Sequence, residues 1–222
     1  MATRRPNQKG IHNFLETIAR QGGLAFSNTY EVTFGKFGTA LEQELTNAGF
    51  VSKDFGGALY NMELLCEEAS LPGMMANTGQ TTGMYLGEGQ VNYAHTKSYQ
   101  DLTLGWTCDA NLSSLKFLNA WMKAIFVETG GGSGQAGRYT TTRLNYPEEY
   151  RCRTMTILKA ERNKNNTVSR GGGLYTFNEI WPYAIQSTPV SYGSSQLLKV
   201  TASFYYRNWR FEARKGANGQ GN

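Results

Sequence analysis

A glycine-rich segment is the first candidate for chemistry, because residues 132–137 read Gly-Ser-Gly-Gln-Ala-Gly and match the GxGxxG spacing. When such a loop joins a strand to a helix, its backbone N–H groups can approach a pyrophosphate. Here the segment follows a predicted helix, leads into Arg138 and Tyr139, and is not followed by Gly-Lys-Ser/Thr. The favoured interpretation is a connector, and not a dinucleotide or phosphate site.

Two adjacent carboxylates, Glu67 and Glu68, have the residue types of a general acid and a general base. Neighbouring side chains of a strand point to opposite faces, whereas an acid and base pair must flank one substrate bond. The sequence therefore favours a structural role, in which one carboxylate faces solvent or a pore and the other needs a partner.

Histidines and cysteines are few and dispersed. His12 and His95 are the only two histidines, and neither has a metal-ligand spacing or a recognisable nucleophile beside it. The cysteines, Cys66, Cys108 and Cys152, are odd in number and lack a CxxC spacing. This pattern disfavours a disulfide framework or a zinc site and fits a reducing compartment. No catalytic residue, metal site or cofactor is predicted.

The run Tyr205–Phe211 mixes cations with aromatic rings, as platforms for single-stranded nucleic acid do. It lacks the spacing of an RNA-recognition motif, and it continues a strand whose apolar side chains alternate over Leu198–Tyr206. A core strand with a basic end is the favoured interpretation. Because large aromatic residues are also typical of oligomer interfaces, Tyr205, Trp209 and Arg210 are the candidate subunit-interface residues.

The composition indicates that strands position these groups. The 222 residues are 40% hydrophobic, 13% aromatic and only 18% charged, and they include 26 glycines. The formal charge of +5 is concentrated near the termini, so it is weak evidence for a nucleic-acid or membrane partner. No run of about 18 apolar residues occurs, so no transmembrane helix is expected.

Periodicity and turn residues predict the order of the elements. A short helix over 11–20 and a strand over 28–34 come first. Thr39 and Glu42 then have the spacing of a capping box for a helix to Asn47. The later elements are a strand over 59–69, a loop or extended arm over 73–90, strands over 91–97 and 99–108, a helix from Asp109 or Asn111 to Gly130, and a strand over 150–161. A closing pair of strands, 174–181 and 196–209, encloses Pro182-Tyr183 and a turn at 191–195.

Four short motifs occur in an order that resembles the tail tube proteins of contractile-tailed bacteriophages, the T4-type family that includes the tube-initiating rings of the baseplate. They are CEEASLPG at 66–73, YQDLTL at 99–104 with the following helix that carries Phe117 and Trp121, IWP at 180–182, and LKVTASFYY at 198–206 with Trp209. Together they span about residues 28–209.

The resemblance implies a mainly β fold, an antiparallel β-barrel or sandwich with a flanking α-helix and a short N-terminal helix. The expected organisation is a leader with a short helix over 1–23, a single tail-tube-like domain over 24–211 and a flexible polar tail over 212–222. By analogy, strands near 59–69 and 150–161 help to build an inner barrel, and 73–90 forms a hairpin arm that reaches a neighbour. The resemblance does not identify the lumen-facing residues of this chain.

The function implied by the resemblance is structural and not enzymatic. Copies of the chain would form hexameric rings that stack into a hollow conduit in the virion tail, assembled in the host cytoplasm. Sheath and baseplate proteins would be partners, DNA and tape-measure protein would pass through the lumen transiently, and no membrane is involved.

Three alternatives remain open at this point. One is a baseplate tube-initiator ring of the same fold, and another is a monomeric nucleic-acid-binding β-barrel that uses the basic aromatic strand. The third is an enzyme, which would require an activity abolished by changing His12, His95 or a cysteine.

Overall fold

The computed structural model describes residues 10, 13–16, 18, 24–25, 27–50, 57–82, 89–129, 141–162, 169–190, 192–193 and 197–213. The glycine motif at 132–137 and His12 lie outside these residues. Of the helix predicted over 11–20, residues 13–16 and 18 are described and are helical.

Strands outnumber helices in the described part of the chain, so the prediction of a mainly β fold is confirmed. The elements are β1 (Tyr30–Phe34), α1 (Thr39–Asn47), α2 (Ala58–Leu64), β2 (Cys66–Ala69), β3 (Met74–Thr82), β4 (Gln90–Tyr99), β5 (Leu102–Thr107), α3 (Ser113–Ile125), β6 (Phe126–Thr129), β7 (Thr141–Leu144), α4 (Pro147–Tyr150), β8 (Cys152–Arg162), β9 (Ser169–Ile185), β10 (Lys199–Tyr205) and β11 (Asn208–Ala213).

The main sheet has seven strands in the order β1-β8-β9-β10-β5-β2, and β11 pairs with β9. Within the described residues this order ends at β1 on one side and β2 on the other, so the sheet of a single chain does not close into a barrel. Two further pairs, β3–β4 and β6–β7, form separate two-stranded sheets. The two ends of this order, β1 and β2, are thus edge strands, which proteins normally cover or pair.

The chain divides into two compact units. The larger comprises Val32–Thr156 and Thr176–Arg210, and it contains α1 to α4. The smaller comprises Met1–Glu31, Ile157–Tyr175 and Phe211–Asn222. The expectation of a single domain over 24–211 stays a prediction.

Inside the smaller unit, the backbone of one strand lies directly against a neighbour. A Cβ added to Gly172 would lie 1.7 Å from the carbonyl oxygen of Lys159, so only glycine fits there. The Lys159 Nζ donates hydrogen bonds to the carbonyl oxygens of Thr29 and Ala160 at 3.1 and 3.0 Å. The rings of Tyr175 and Phe211 pack with their centroids 5.0 Å apart.

The core of the larger unit is an aromatic cluster around helix α3. The Trp121 side chain is fully buried among four aromatic rings. Its ring centroid lies 5.8 Å from that of Phe34, 5.9 Å from Phe37, 5.5 Å from Phe117 and 5.8 Å from Phe204. Its Nε1 donates to the backbone oxygen of Tyr150 at 2.8 Å. The helix therefore packs its tryptophan against β1 and β10 while anchoring α4.

The predicted strand over 59–69 is wrong in its first half, where the structure has α2. Gly57 precedes the helix with extended backbone, and Leu59 and Met62 bury one face at a spacing of three residues. Only Cys66–Ala69 forms a strand, because only these residues reach β5.

Helix α1 begins one residue earlier than a capping box at Thr39 requires. Its N-cap is Gly38, and no side chain caps it. A Cβ at Gly38 would lie 2.3 Å from the backbone oxygen of Glu149, which explains glycine at this position. At the other end, Phe50 N–H bonds to Leu45 O and Gly49 N–H to Thr46 O, the pattern of a Schellman motif.

Replacing Gly49 with alanine is expected to lower the free energy of unfolding by about 1 kcal/mol, because its φ of +92° lies in the left-handed region. Urea denaturation would measure the change. The control is Gly89→Ala, since Gly89 also has open space around its Cβ position but no left-handed φ, and its stability should change little. Equal effects of the two changes would contradict the prediction.

Helix α3 also departs from its predicted limits. Its N-cap is Leu112, with φ of 55°, and the Asp109 carboxylate accepts bonds from the Ser113 N–H and hydroxyl at 2.6 and 2.7 Å. These bonds lower the pKa of Asp109. The helix ends at Ile125 and not at Gly130, because Phe126 is extended and pairs with Leu144 in β6–β7.

The closing hairpin has the predicted alternation, since Val200, Ala202 and Phe204 are buried. However, the first strand does not end at Trp181 as predicted, because β9 continues to Ile185. Pro182 lies inside β9, opposite Phe204 at an irregularity of the β9–β10 register. Proline is tolerated in a sheet at such bulges, where no ladder hydrogen bond requires its missing N–H.

Candidate subunit interface

An extended hairpin, here called the arm, is formed by β3 and β4. The two strands pair from Met74 opposite Tyr99 to Thr82 opposite Gln90, with a bulge after Asn77. Of the loop or extended arm predicted over 73–90, Met74–Thr82 form a strand of a hairpin, while residues 83–88 lie outside the described part. The strand was not predicted from the sequence, because its side chains face solvent and show no alternation of apolar and polar residues.

The outer part of the arm carries two exposed apolar side chains on one face. Val91 and Tyr93 are 48% and 50% exposed, and their cross-strand partners, Thr81 and Gly79, share that face. The Tyr93 ring covers Gly79, where an added Cβ would lie 2.7 Å from the ring. Two-stranded hairpins are at best marginally stable in water without a packing partner. We therefore expect the arm to be more stable when another surface packs against this face.

The root of the arm is fixed to the core. Tyr99 packs against Tyr206 with ring centroids 5.8 Å apart, and the Tyr206 hydroxyl donates to the backbone oxygen of Gln100 at 2.6 Å. Phe177 packs on the other side of Tyr206 at 5.0 Å. Burial raises the pKa of Tyr206 to about 12, so the hydroxyl stays protonated and continues to donate. The sheet therefore sets the direction in which the arm leaves it.

A second surface, here called the aromatic strip, consists of Trp181, Tyr183 and Tyr205. The Tyr183 and Tyr205 rings are stacked at 4.0 Å and 16°, and Trp181 meets Tyr205 at 5.6 Å. The Tyr183 hydroxyl donates to Asp101 at 2.8 Å, and this bond raises the pKa of Tyr183. Tyr205 is 44% exposed, on the sheet face opposite Phe204. The strip offers flat aromatic surface to solvent.

The structure distributes the three candidate interface residues over two strands. Tyr205 ends β10 in the aromatic strip, whereas Trp209 is half-buried and Arg210 exposed on β11. Sequence reasoning missed Trp181 and Tyr183 as members of the strip. The alternation of Trp181 and Tyr183 was the available signal, but the strand was predicted to end at Trp181, before Pro182.

The carboxylates Glu67 and Glu68 do not point to opposite faces, so that expectation is wrong. A bulge in β2 shifts the register between Cys66 and Glu68, and both glutamates line a depression of about 260 Å³ beside Gly105. Glu67 accepts from Lys199 at 2.8 Å and from the Thr107 hydroxyl at 2.6 Å.

These two bonds lower the pKa of Glu67, because they favour the charged carboxylate. Glu67 is therefore an ion-pair partner and unsuited to donate a proton near neutral pH. The structural interpretation of the glutamate pair holds, although for a different geometric reason.

The remaining chemical candidates form no site in the described residues. His95 is exposed on the arm, where its ring contacts the Thr96 hydroxyl. Cys66, Cys108 and Cys152 are free thiols, and burial raises the pKa of Cys66 to about 12. Across the described ranges, no cluster of three histidine, cysteine or acidic residues could hold a metal ion. No helix among them is long and apolar enough to cross a membrane.

Known proteins share this fold. The chain is similar to one from the six-fold symmetrised baseplate of the anti-feeding prophage, with 14% identity and a TM-score of 0.50, covering 85% of this chain and 95% of that one. It is also similar to one from the sheath/tube terminator of an extracellular contractile injection system, with 11% identity and a TM-score of 0.50, covering 86% of this chain and 97% of that one. At these identities the likeness concerns the fold. No curated protein matches the chain.

The sequence itself carries the family relationship. Residues 25–212 match the model of the family described as phage tail tube protein, which is most of the chain. The resemblance seen in the four motifs is thereby confirmed. The chain belongs to the phage tail tube protein family.

Proposed function

We propose that this chain is the structural subunit of a tail tube, in which hexameric rings of identical copies stack into a hollow conduit inside a contractile sheath. The observation that carries the proposal is the open seven-stranded sheet, with β1 and β2 at its ends. Unpaired edges invite association, and a ring that joins the β1 edge of one copy to the β2 edge of the next would pair both of these edges.

The arm supplies the second contact in this assembly. Its two strands pair with each other, and it exposes Val91 and Tyr93 to solvent. In a ring or a stack of rings, the neighbouring copy is present at every subunit, so it is the natural cover for this face. The hairpin would then be stabilised by the same association that closes the ring.

The aromatic strip and the end of the sheet provide further proposed contacts, with Tyr205, Trp209 and Arg210 as the interface residues. Aromatic and arginine side chains are enriched among residues that dominate binding energy. The stacked Tyr183 and Tyr205 rings are preorganised, so covering them costs little side-chain entropy.

The partners follow from the tube function. The chain would contact sheath and baseplate proteins on its outer side and at its end, and DNA and tape-measure protein would pass through the lumen transiently. The names of the similar proteins, a baseplate and a sheath/tube terminator, support this assignment. The proposal requires no catalysis, cofactor or membrane, and it places the protein in the virion tail after assembly in the host cytoplasm.

The alternative within the same class is a baseplate ring that initiates the tube, which the similarity to a baseplate chain supports. The number of copies per particle separates the two. One initiating ring contains about six subunits, whereas a tube contains many rings.

Electron microscopy of the purified full chain tests the proposal. Rings or tubes about 100 Å across are expected, from the rough size of six such domains in a circle. A protein that stays monomeric at high concentration and binds DNA in a salt-sensitive manner would overturn the proposal and favour the nucleic-acid-binding alternative.

Replacing Tyr205 with alanine is expected to weaken association by about 30-fold or more, which corresponds to a hot-spot loss of about 2 kcal/mol. Sedimentation velocity over a concentration series would measure the shift. The matched control is Tyr192→Ala, because Tyr192 is fully exposed outside the aromatic strip. Wild-type association of the Tyr205 variant would remove the strip from the interface.

A further inference from the structure

Three arginines converge on a polar pocket of about 670 Å³ in the larger unit. Arg151, Arg153 and Arg207 line it together with Glu148, Asn178, Glu179 and Asn208. It is here called the arginine pocket. The proposed tube function does not by itself assign a role to it.

Glu179 organises the pocket. Its carboxylate accepts one bond from Arg151 Nη1 at 2.9 Å and another from Arg207 Nη1 at 2.8 Å. Its φ of 54° lies in the left-handed region, which is uncommon for a residue other than glycine. Such a conformation persists only when the surroundings enforce it, and here it directs the carboxylate between two guanidinium groups.

Hydrogen bonds fix the strand that returns beside Glu179. The Arg207 N–H donates to the backbone oxygen of Asn178 at 3.0 Å, and the Asn178 amide donates to Asn208 Oδ1 at 2.6 Å. The backbones that carry Glu179 and Arg207 are therefore held together. The spacing of the two guanidinium groups is set before any ligand binds.

The pocket retains unused donors and positive charge. Each guanidinium has five N–H donors, and Glu179 takes one from each of two arginines. Arg151 Nε is buried without a hydrogen-bond partner, and no bond within the described residues engages the Arg153 guanidinium. Three arginines face two glutamates, so one positive charge remains in excess. This donor set fits a carboxylate, which arginine binds in a planar, bidentate manner.

A complementary carboxylate lies at the opposite end of the sheet. Glu68 is on β2, one edge strand, and within the described residues no hydrogen bond or ion pair engages its carboxylate. Arg153 is on β8, the strand next to the other edge, β1. In a ring the contact between copies is heterologous, so one end of the sheet meets the other end of the next copy.

We propose that the arginine pocket of each subunit binds the Glu68 carboxylate of the adjacent copy in the ring. The inference rests on the proposed ring assembly and assigns the charged contact within it. A phosphate of DNA fits the pocket less well. The carboxylates of Glu148 and Glu179 would repel the negative charge of a phosphate. Proteins also bind single-stranded nucleic acid along extended basic grooves lined by aromatic rings, and no aromatic residue of the described part of the chain lines this pocket.

A charge exchange tests the pairing. Arg153→Glu and Glu68→Arg are each expected to raise the concentration needed for ring formation by about tenfold or more, because each places like charges at the contact. The double variant, Arg153→Glu with Glu68→Arg, should restore assembly to within about threefold of wild type. Sedimentation velocity and electron microscopy measure these shifts.

Two further variants complete the experiment. Arg143→Glu reverses an exposed arginine on β7 and should assemble like wild type. Arg153→Gln, a milder change, should weaken assembly without reversing the charge. Below the concentration of ring formation, all variants should have the wild-type thermal midpoint, which separates loss of assembly from loss of folding.

The outcomes distinguish this inference from the proposed function. If the wild type forms rings and either single variant does so equally well, the pairing is wrong while the tube function stands. A double variant that assembles no better than the single variants also overturns it. If the wild type forms no rings, both the proposed tube function and the pairing of the arginine pocket with Glu68 are wrong. Salt-sensitive DNA binding that Arg153→Glu abolishes would reassign the pocket to phosphate.

Discussion

Replacement of Trp121 by alanine is expected to lower the free energy of unfolding by about 3–5 kcal/mol, a large part of the stability of a typical domain. The ring is fully buried and packs against four other aromatic rings from β1, α3, β10 and the segment after β1. Removing it leaves a cavity that rigid neighbours cannot fill. It also leaves the Tyr150 oxygen without its indole donor.

A second variant separates the loss of packing from the loss of the hydrogen bond, and a third serves as a surface control. Trp121→Phe keeps an aromatic ring but removes the donor, so it should cost less than the alanine variant, including about 1–3 kcal/mol for the unsatisfied oxygen. Leu197→Ala removes an exposed side chain and should change stability by less than about 0.5 kcal/mol. Urea denaturation below the concentration of ring formation measures all three. A Trp121→Ala variant as stable as Leu197→Ala would contradict the packing described for the core.

Regular elements with one buried face could be predicted from the sequence. The alternation of Val200, Ala202 and Phe204 indicated a strand with a core face, and burial of these residues confirms it. Helix α3 was predicted from a stripe at helical spacing, although its two fully buried rings, Phe117 and Trp121, lie beside the centre of that stripe. Both patterns are local, because they depend on the periodicity of the element and not on its neighbours.

Features that depend on distant neighbours could not be predicted. Leu59 and Met62 lie in an apolar run that suits either a strand or a helix, and tertiary packing decides between them. The bulge that turns Glu67 and Glu68 to one side depends on pairing with β5. Glu179 and the arginines around it are separated by 28 residues on each side, so no local pattern links them.

The charged and the apolar parts of the proposed interface differ in their contribution to the specificity and the free energy of association. The arginine pocket and Glu68 carry charges, which favour one register and one orientation of the neighbouring copy. The arm and the aromatic strip carry apolar area, which supplies most of the binding energy when it leaves water. Loss of charge should therefore shift assembly moderately, whereas loss of the arm should abolish it.

Shortening the arm tests whether its apolar surface is required for ring formation. In the variant, a two-residue Asn-Gly turn replaces residues 80–92 and links Gly79 to Tyr93. These two residues are cross-strand partners, and Asn-Gly favours the two-residue turn needed between them. The free energy of unfolding should stay within about 1 kcal/mol of wild type, because residues 80–82 and 89–92, the described part of the range removed, are exposed and lie outside the core.

Ring formation, in contrast, should be lost at concentrations where the wild type assembles. Covering a side chain such as Val91, which the shortened arm lacks, stabilises a contact by about 1.5–3 kcal/mol, so each shortened arm weakens its interface by at least about tenfold. Because symmetry repeats the loss at every interface of the ring, the weakening multiplies. Val91→Asp with Tyr93→Asp should act similarly, whereas Gln80→Glu with Asn92→Asp places two negative charges on the opposite face and should be tolerated. Rings formed normally by the shortened chain would show that the sheet edges alone close the ring.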